Sequence, residues 1–423
     1  MTLPPIYSDD HVVIAPPASR FESPVSVGRQ RRRSQSRAVD WIRLAFAIVL
    51  FGIALLSALP APVHAAWLIG LVASEAGHWL APVALLTLIP GWRASAPGRI
   101  AVALGCASTL LFIAPMAQAL RISHSVTSEV ARAWGQAPRF SAAGAPAREA
   151  PVQLLDLYAG VRIGDVRQRT LVYASDGAGE RRLDLYLPPD SSAAAPLLVI
   201  VHGGSWRAGD RTELPAMARY FAARGIAVAM PDYRLAPTHR FPAARDDVAR
   251  SVALLTARGG ELGVDASRVV YLGRSAGAQI ALSRALMDAG NPAVRGAVSL
   301  YGPLDLRWGY ANPGNPRVLD GRAALRDYLG GSPSEVPGTY DAASPITAVG
   351  RISPPVLLIH GARDDLVSNA HTQRFAARME WAGRRHQAIE LPWATHGCDA
   401  ILRGPCGQIT LYAVERFLAN VLR

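Results

Sequence analysis

Ser275 stands in Gly273-Arg274-Ser275-Ala276-Gly277, between the β-branched apolar run from Arg268 to Leu272 and a breaker-poor stretch from Ala276 to Met287. A serine on a strand-to-helix turn, flanked by residues without a Cβ, is lifted above the sheet with its hydroxyl exposed. Serine alone is a weak nucleophile. It needs a base, an acid that orients the base, and N–H donors where negative charge develops on an attacked carbonyl. The chain offers all three. Leu197 to Val201 is an apolar run that ends at His202-Gly203-Gly204-Ser205-Trp206, so two glycines follow directly on a predicted buried strand. Their N–H groups, with that of Ala276, are the candidate oxyanion donors. Pro355 to Ile359 is another such run, and Asp364 follows it; Gln387 to Leu391 is a short strand, and His396 follows in Ala394-Thr395-His396-Gly397. Chemistry in open α/β sheets collects beyond the carboxyl ends of strands, which puts Ser275, Asp364 and His396 on one rim as nucleophile, acid and base.

Rivals exist for the base and for the acid. The chain has 10 His. His202 adjoins the glycine loop and is read as a structural hydrogen-bonder, while His371 and His386 are expected at the surface. Asp365 is the rival acid. The chain order Ser, Asp, His is that of the α/β-hydrolase fold and differs from two other serine-protease orders.

From Leu155 to Arg423 the sequence resembles the α/β-hydrolase esterases of the hormone-sensitive-lipase and feruloyl-esterase-like groups. The matching motifs are His202 to Trp206, Asp232-Tyr233-Arg234-Leu235-Ala236-Pro237, Phe241-Pro242-Ala243-Ala244 leading to Asp247, Gly273 to Gly277, His360-Gly361 with Asp364 and Val367, and His396-Gly397. The resemblance implies Ser275, Asp364 and His396 as a triad, Gly203, Gly204 and Ala276 as oxyanion donors, and Asp232 to Arg234 with Asp247 as structural supports. It also favours Asp364 over Asp365. Two departures leave the substrate open: Arg274 precedes the serine where hormone-sensitive-lipase relatives usually carry Asp, and Ser205 replaces a third glycine.

The residues before this region are of another kind. Residues 1–39 are Arg-rich, Pro- and Ser-containing and without apolar periodicity, which predicts disorder. Leu44 to Ser74, Ala76 to Trp92 and Ile100 to Leu120 then carry no charged residue. A spanning helix needs about 20 mostly apolar residues. Three spans are predicted, at about 42–60, 72–92 and 99–120, within a membrane region 40–122. Residues 61–92 are too few for two full spans and a turn, so part of that stretch is expected to be interfacial or loop. Arginines before the first span and at 93 and 99 place those ends in the cytoplasm by the positive-inside tendency, and three spans put the remainder outside. The location expected is a bacterial inner membrane with an extracytoplasmic catalytic domain. The rival is a signal peptide with core Leu44 to Ser57, cleaved near Ala65. Glu75 and His78 are either functional intramembrane groups or residues of the membrane edge.

Composition removes other chemistries. All 44 basic residues are Arg, so a phosphate-binding Gly-Lys loop, a Schiff-base lysine and a Ser-x-x-Lys dyad are excluded. The net charge of +12 is ascribed to the arginine cluster meeting anionic lipid headgroups and not to nucleic acid. No Cys-x-x-Cys or His-Glu-x-x-His appears, so neither metal nor cofactor is expected. Cys398 and Cys406 beside His396 are either a disulfide that stiffens the base loop or two free thiols.

The elements predict an α/β architecture. A hairpin (Thr170 to Ala174 with Arg182 to Leu187) precedes strands near 197, 226, 268, 295, 355 and 387 that alternate with helices, the pattern of a mostly parallel sheet. The domains are then a basic N-terminus 1–39, the membrane region 40–122, a linker 123–154 and an α/β-hydrolase domain 155–423. Residues 303–352 are a possible cap, whose Trp308, Tyr310, Tyr328 and Tyr340 either line a pocket or pack within the insertion. The expected function is hydrolysis of a small-molecule or lipid-like carboxylic ester at a membrane through an acyl-enzyme. Peptidase or amidase action, envelope acyl transfer, and a catalytically silent binding protein are the alternatives.

Overall fold

A computed structural model describes residues 1–2, 24–91, 95–135, 146–177, 179–189 and 193–423. At its centre eight strands form one sheet in the order β1-β2-β4-β3-β5-β6-β7-β8. They are β1 (Arg167–Asp176), β2 (Gly179–Leu187), β3 (Ala195–Val201), β4 (Ala227–Pro231), β5 (Val264–Arg274), β6 (Val294–Leu300), β7 (Val356–Gly361) and β8 (His386–Leu391). The β1–β2 hairpin joins the sheet antiparallel to β4, and every pairing from β4 through β8 is parallel. Apolar runs of Val, Leu and Ile make these strands, because a parallel strand is covered on both faces. Along β3, Leu197, Val199 and Val201 enter one core while Leu198 and Ile200 enter the other. Helices Ala243–Ala257, Ala276–Met287 and Ala370–Trp381 cover the first face; Pro215–Ala222 and Pro405–Val421 cover the second. The carboxyl ends of β3, β5, β7 and β8 therefore share one rim, as the strand runs predicted.

Ahead of the sheet the described residues include α1 (Pro24–Leu56), α2 (His64–Glu75), α3 (Gly77–Leu85) and α4 (Ala96–Trp134), with the short helix Leu154–Ala159 just before β1. Residues 37–56 and α4 are long and apolar enough to cross a membrane; α2 and the segment 77–88 pass the same test only together, and they meet at 84°. Small residues let these helices pack closely, with Ala47, Ala54, Ala81, Ala84 and Ala101 buried. Asp40 near the start of the apolar part of α1 pairs with Ser95, and the Ser95 hydroxyl caps α4 by accepting from Gly98 N at 3.0 Å. Hence α1 and α4 run parallel from one end.

Three expectations are corrected. The second span, placed at 72–92, is broken at Ala76, where the Glu75 carboxyl group is bonded to the α/β domain and holds α2 against it. Residues 24–39, expected to be disordered, are helical, in keeping with the helix-forming Arg and Gln there; residues 3–23 lie outside the described ones. Residues 123–134, expected to begin a linker, continue α4 into the domain, where Val126, Val130 and Trp134 join the second core.

Trp134 is fully buried, donates from Nε1 to Gln387 Oε1 and meets Phe417 edge to face at 4.8 Å. Trp134→Ala is expected to cost about 3–5 kcal/mol, read as a lowered unfolding midpoint of the full chain in detergent.

Candidate active site

Gly277 follows two residues after the nucleophile because a Cβ there would lie 2.2 Å from the carbonyl oxygen of His202. Ser275 itself is held at φ 53° and ψ −123°, a left-handed conformation costly for a residue with a Cβ. Its N–H donates to Leu300 O at 2.9 Å, which pins the turn to β6. The strained turn aims Ser275 Oγ at His396 Nε2, 2.8 Å away. His396 Nδ1 lies 2.6 Å from Asp364 Oδ2, so Nδ1 carries the proton and Nε2 accepts from the serine.

Asp364 has a fully buried carboxylate. Its Oδ1 accepts from Leu366 N at 2.9 Å and Val367 N at 2.8 Å, and its Oδ2 also meets His360 Nε2 at 3.2 Å. Burial alone would raise its pKa, but the charge of His396 and the hydrogen bonds from His360 and His396 outweigh it and hold the acid well below the carboxylate range. The rival, Asp365, instead accepts from Ala61 N at 2.9 Å and is held above its ordinary value, chiefly by burial.

The glycine loop passes beside the nucleophile: a Cβ on Gly203 would lie 3.4 Å from Ser275 Cβ. Gly204 has φ +103°, and there a Cβ would strike Ala208 O. Ala276 opens the helix after the serine, with its side chain buried. His202 stacks on Tyr233 at 4.1 Å and turns Nδ1 to Gly203 O. Tyr233 Oη donates to the carbonyls of His202 and Gly203, and Arg234 pairs with Asp247, so the Asp232 to Arg234 loop shores up the site from outside.

Arg274, the residue that departs from the family pattern, pairs with Asp399 through Nε at 2.7 Å and Nη2 at 3.0 Å. Tyr301 Oη bonds the same carboxylate, and the Tyr301 ring packs against His396 at 4.6 Å. Cys398 and Cys406, on either side of Asp399 in the chain, are joined as a disulfide. A largely buried arginine beside Ser275 demands an acid, yet nothing in the spacing identified Asp399. His360 was also missed as a support: its Nε2 faces two acceptors, Asp364 and Val367 O, so its Nδ1 accepts from Thr372 Oγ1 at 2.8 Å.

His371 is not a surface residue. Its helix turns it inward, where Nδ1 accepts from Asp305 N at 3.2 Å and burial pushes its pKa down to about 3. It lines, with Ser205, Ser275, Leu306 and Leu325, a pocket of about 50 Å³. The segment 303–325 lies over this pocket, whereas Tyr328 and Tyr340 pack inside the domain. Tyr328 stacks on Trp206 at 4.6 Å, and Trp308 meets His371 edge to face at 4.9 Å.

Because Asp364 has a lowered folded-state pKa, its stabilisation is complete above its unfolded value of about 4 and is lost as pH falls further. Unfolding free energy followed from pH 7 to pH 2 is therefore expected to fall less steeply below pH 4 in Asp364→Asn than in the unmodified chain.

A family model described as BD-FAE matches residues 183–379, a span that contains Ser275 and Asp364 but not His396. The chain is 30% identical to esterase LipC of Mycobacterium tuberculosis over 274 residues, 61% of this chain and 66% of that protein. It is also 30% identical to esterase LipQ of the same organism, over 53% of this chain and 55% of that protein. It thus spans between half and two thirds of the length of these curated relatives. Among solved structures, an esterase of Pyrobaculum calidifontis is similar at 25% identity and TM-score 0.52, covering 60% of this chain and 84% of that one. A bacterial heroin esterase shares the fold at 24% identity and TM-score 0.56, over 70% of this chain and 98% of that one. By sequence and fold together, the chain has the α/β-hydrolase fold and is similar to esterases of that fold.

Proposed function

We propose that the protein is a membrane-anchored serine carboxylesterase. The observation that carries this reading is the unbroken hydrogen-bond chain from Ser275 Oγ through His396 to the buried Asp364. His396 takes the serine proton as Oγ attacks the ester carbonyl, and the N–H groups of Gly203, Gly204 and Ala276 receive the developing oxyanion. Asp364 stabilises the imidazolium without taking its proton. His396 then protonates the leaving alcohol, and water activated by the same nitrogen releases the acid from the acyl-enzyme. No cofactor enters these steps. The esterase names of the relatives support the ester as the bond attacked.

Anchoring rests on the helices. The apolar part of α1 and the start of α4 lie together at the end marked by Asp40 and Ser95, and α4 runs on into the catalytic domain at the other end. With the arginine-rich start read as cytoplasmic, this arrangement supports an extracytoplasmic position for residues 155–423.

Turnover of a short-chain aryl ester by the full chain in detergent is expected to fall by about 10³-fold or more in Ser275→Ala, and by about 10⁴-fold in Asp364→Asn. Equal rates for Ser275→Ala and the unmodified chain would remove the nucleophile assignment, and failure of a fluorophosphonate to label the unmodified chain would favour a binding protein. A reporter fused after Arg423 is expected to be active only outside the cytoplasm.

A further inference from the structure

The turn between α1 and α2 is built into the rim of the site. Ala61 N donates to Asp365, the neighbour of the triad acid, and Asn315 Nδ2 donates to Ala61 O at 2.8 Å. Arg363 Nη1 donates to Ser57 O at 2.9 Å, and His64 Nδ1 lies 3.2 Å from Val318 O. Further along, Glu75 accepts from Trp393 Nε1 at 3.0 Å and from Cys406 N at 2.9 Å. Trp67 and Leu71 of α2 come within 4 Å of the place a Cβ on Gly397 would take. The pocket-covering segment, the acid loop and the base loop are thus all bonded to the apolar helices.

A cavity of about 330 Å³ lies between them. Leu56, Ala58, Pro60 and Trp67 wall it from the helices, Arg363, Asp364 and Asp365 wall it from the acid loop, and Trp393 and Thr395 wall it from the base loop, where Thr395 precedes His396. Its volume falls within the usual range for a small-molecule site, whereas the 50 Å³ pocket at Ser275 falls well below it. The helix wall of the cavity continues outward into exposed Leu59, Val63, Leu68, Ile69 and Val72. Along α2 the faces divide at helical spacing: Trp67, Gly70, Leu71, Ser74 and Glu75 turn inward, while Leu68, Ile69 and Val72 turn out. An outward face of that kind lies in the interfacial layer of a bilayer, which brings the cavity mouth to the level of the acyl chains.

We propose that this cavity seats the hydrocarbon chain of a bilayer-resident ester, long on one side of its carbonyl and short on the other, so that the substrate is taken from the membrane and not from water. The short side enters the pocket at Ser275. This substrate class rests on the esterase reading and on the seating of α1 and α4 in a membrane.

The test uses the full chain in phosphatidylcholine vesicles with three probes: p-nitrophenyl acetate, esters long on one side only (hexadecyl acetate and methyl palmitate), and hexadecyl palmitate. At least one of the one-sided esters is expected to exceed p-nitrophenyl acetate in kcat/KM by about tenfold or more once leaving-group reactivity is normalised against alkaline hydrolysis, and hexadecyl palmitate is expected to be a poor substrate. Ala58→Phe, which fills the cavity, is expected to cut the ratio of one-sided to short ester turnover by at least about tenfold. An unchanged ratio in Ala58→Phe, or no advantage for either one-sided ester in the unmodified chain, would overturn the proposal while p-nitrophenyl acetate is still cleaved. Loss of fold in Ala58→Phe leaves the chain-length series on the unmodified chain to decide. Absence of p-nitrophenyl acetate cleavage by the unmodified chain would instead remove the esterase reading, and the proposal with it.

Discussion

A fully buried carboxylate at the end of β7 organises the site. Removing an ion from water costs several kcal/mol unless its lone pairs are met, and Asp364 meets its own with Leu366 N, Val367 N, His360 and His396. Each partner fixes a different part of the structure. The two N–H groups curl the loop after β7 into one shape. His360 carries the constraint through Thr372 to the start of the Ala370–Trp381 helix. His396 carries it to the loop after β8 and on to Ser275. The orientation of the base is therefore a consequence of satisfying a charge, and the strained serine turn needs only to present its hydroxyl to a nitrogen already in place.

A related rule, that buried polar groups must find hydrogen-bond partners, acts twice around the base loop. Arg274 precedes Ser275 and is matched by Asp399, three residues beyond His396, with Tyr301 as a third member that also packs on the imidazole. One ion pair thus links the Ser275 turn to the His396 loop, and the Cys398–Cys406 disulfide closes the chain around its acid. Glu75 is the second case. Its two acceptor oxygens take N–H groups from Trp393 and Cys406 on either side of that loop. In a domain lacking the apolar helices both donors would lose this partner, at about 1–3 kcal/mol for each that stays buried.

What the sequence disclosed followed from local cause. Strands appeared as Val, Leu and Ile runs because parallel strands are covered on both sides, and the glycines marked Gly204 and Gly277 because backbone passes too close there for a Cβ. Order along the chain then brought Ser275, Asp364 and His396 to one rim. What it withheld was long-range. Arg274 finds Asp399 across 125 residues and Asn315 finds Ala61 across 254, and no period or spacing records such pairs. His371 read as surface because a polar residue on a short helix gives no sign of facing inward. The break at Ala76 was hidden for a related reason: apolar residues alone suit a straight span, and only the partners of Glu75 reveal that α2 belongs to the rim.

Those partners also explain the path of the helices. Since α1 and α4 run parallel, the chain between them has to return to the end where it began. Glu75, Ala61 and the Ser57 carbonyl hold the first half of that return against the catalytic rim, so α2 cannot lie along α1, and the descent starts only at Gly77. There a Cβ would strike Phe112 O, so the glycine lets the descending segment lie directly on α4. The 84° bend is the geometric result of meeting both demands within one short connection. A tether would need neither the bend nor the bonds to three loops of the site; a helical region that shapes the entrance to that site needs both.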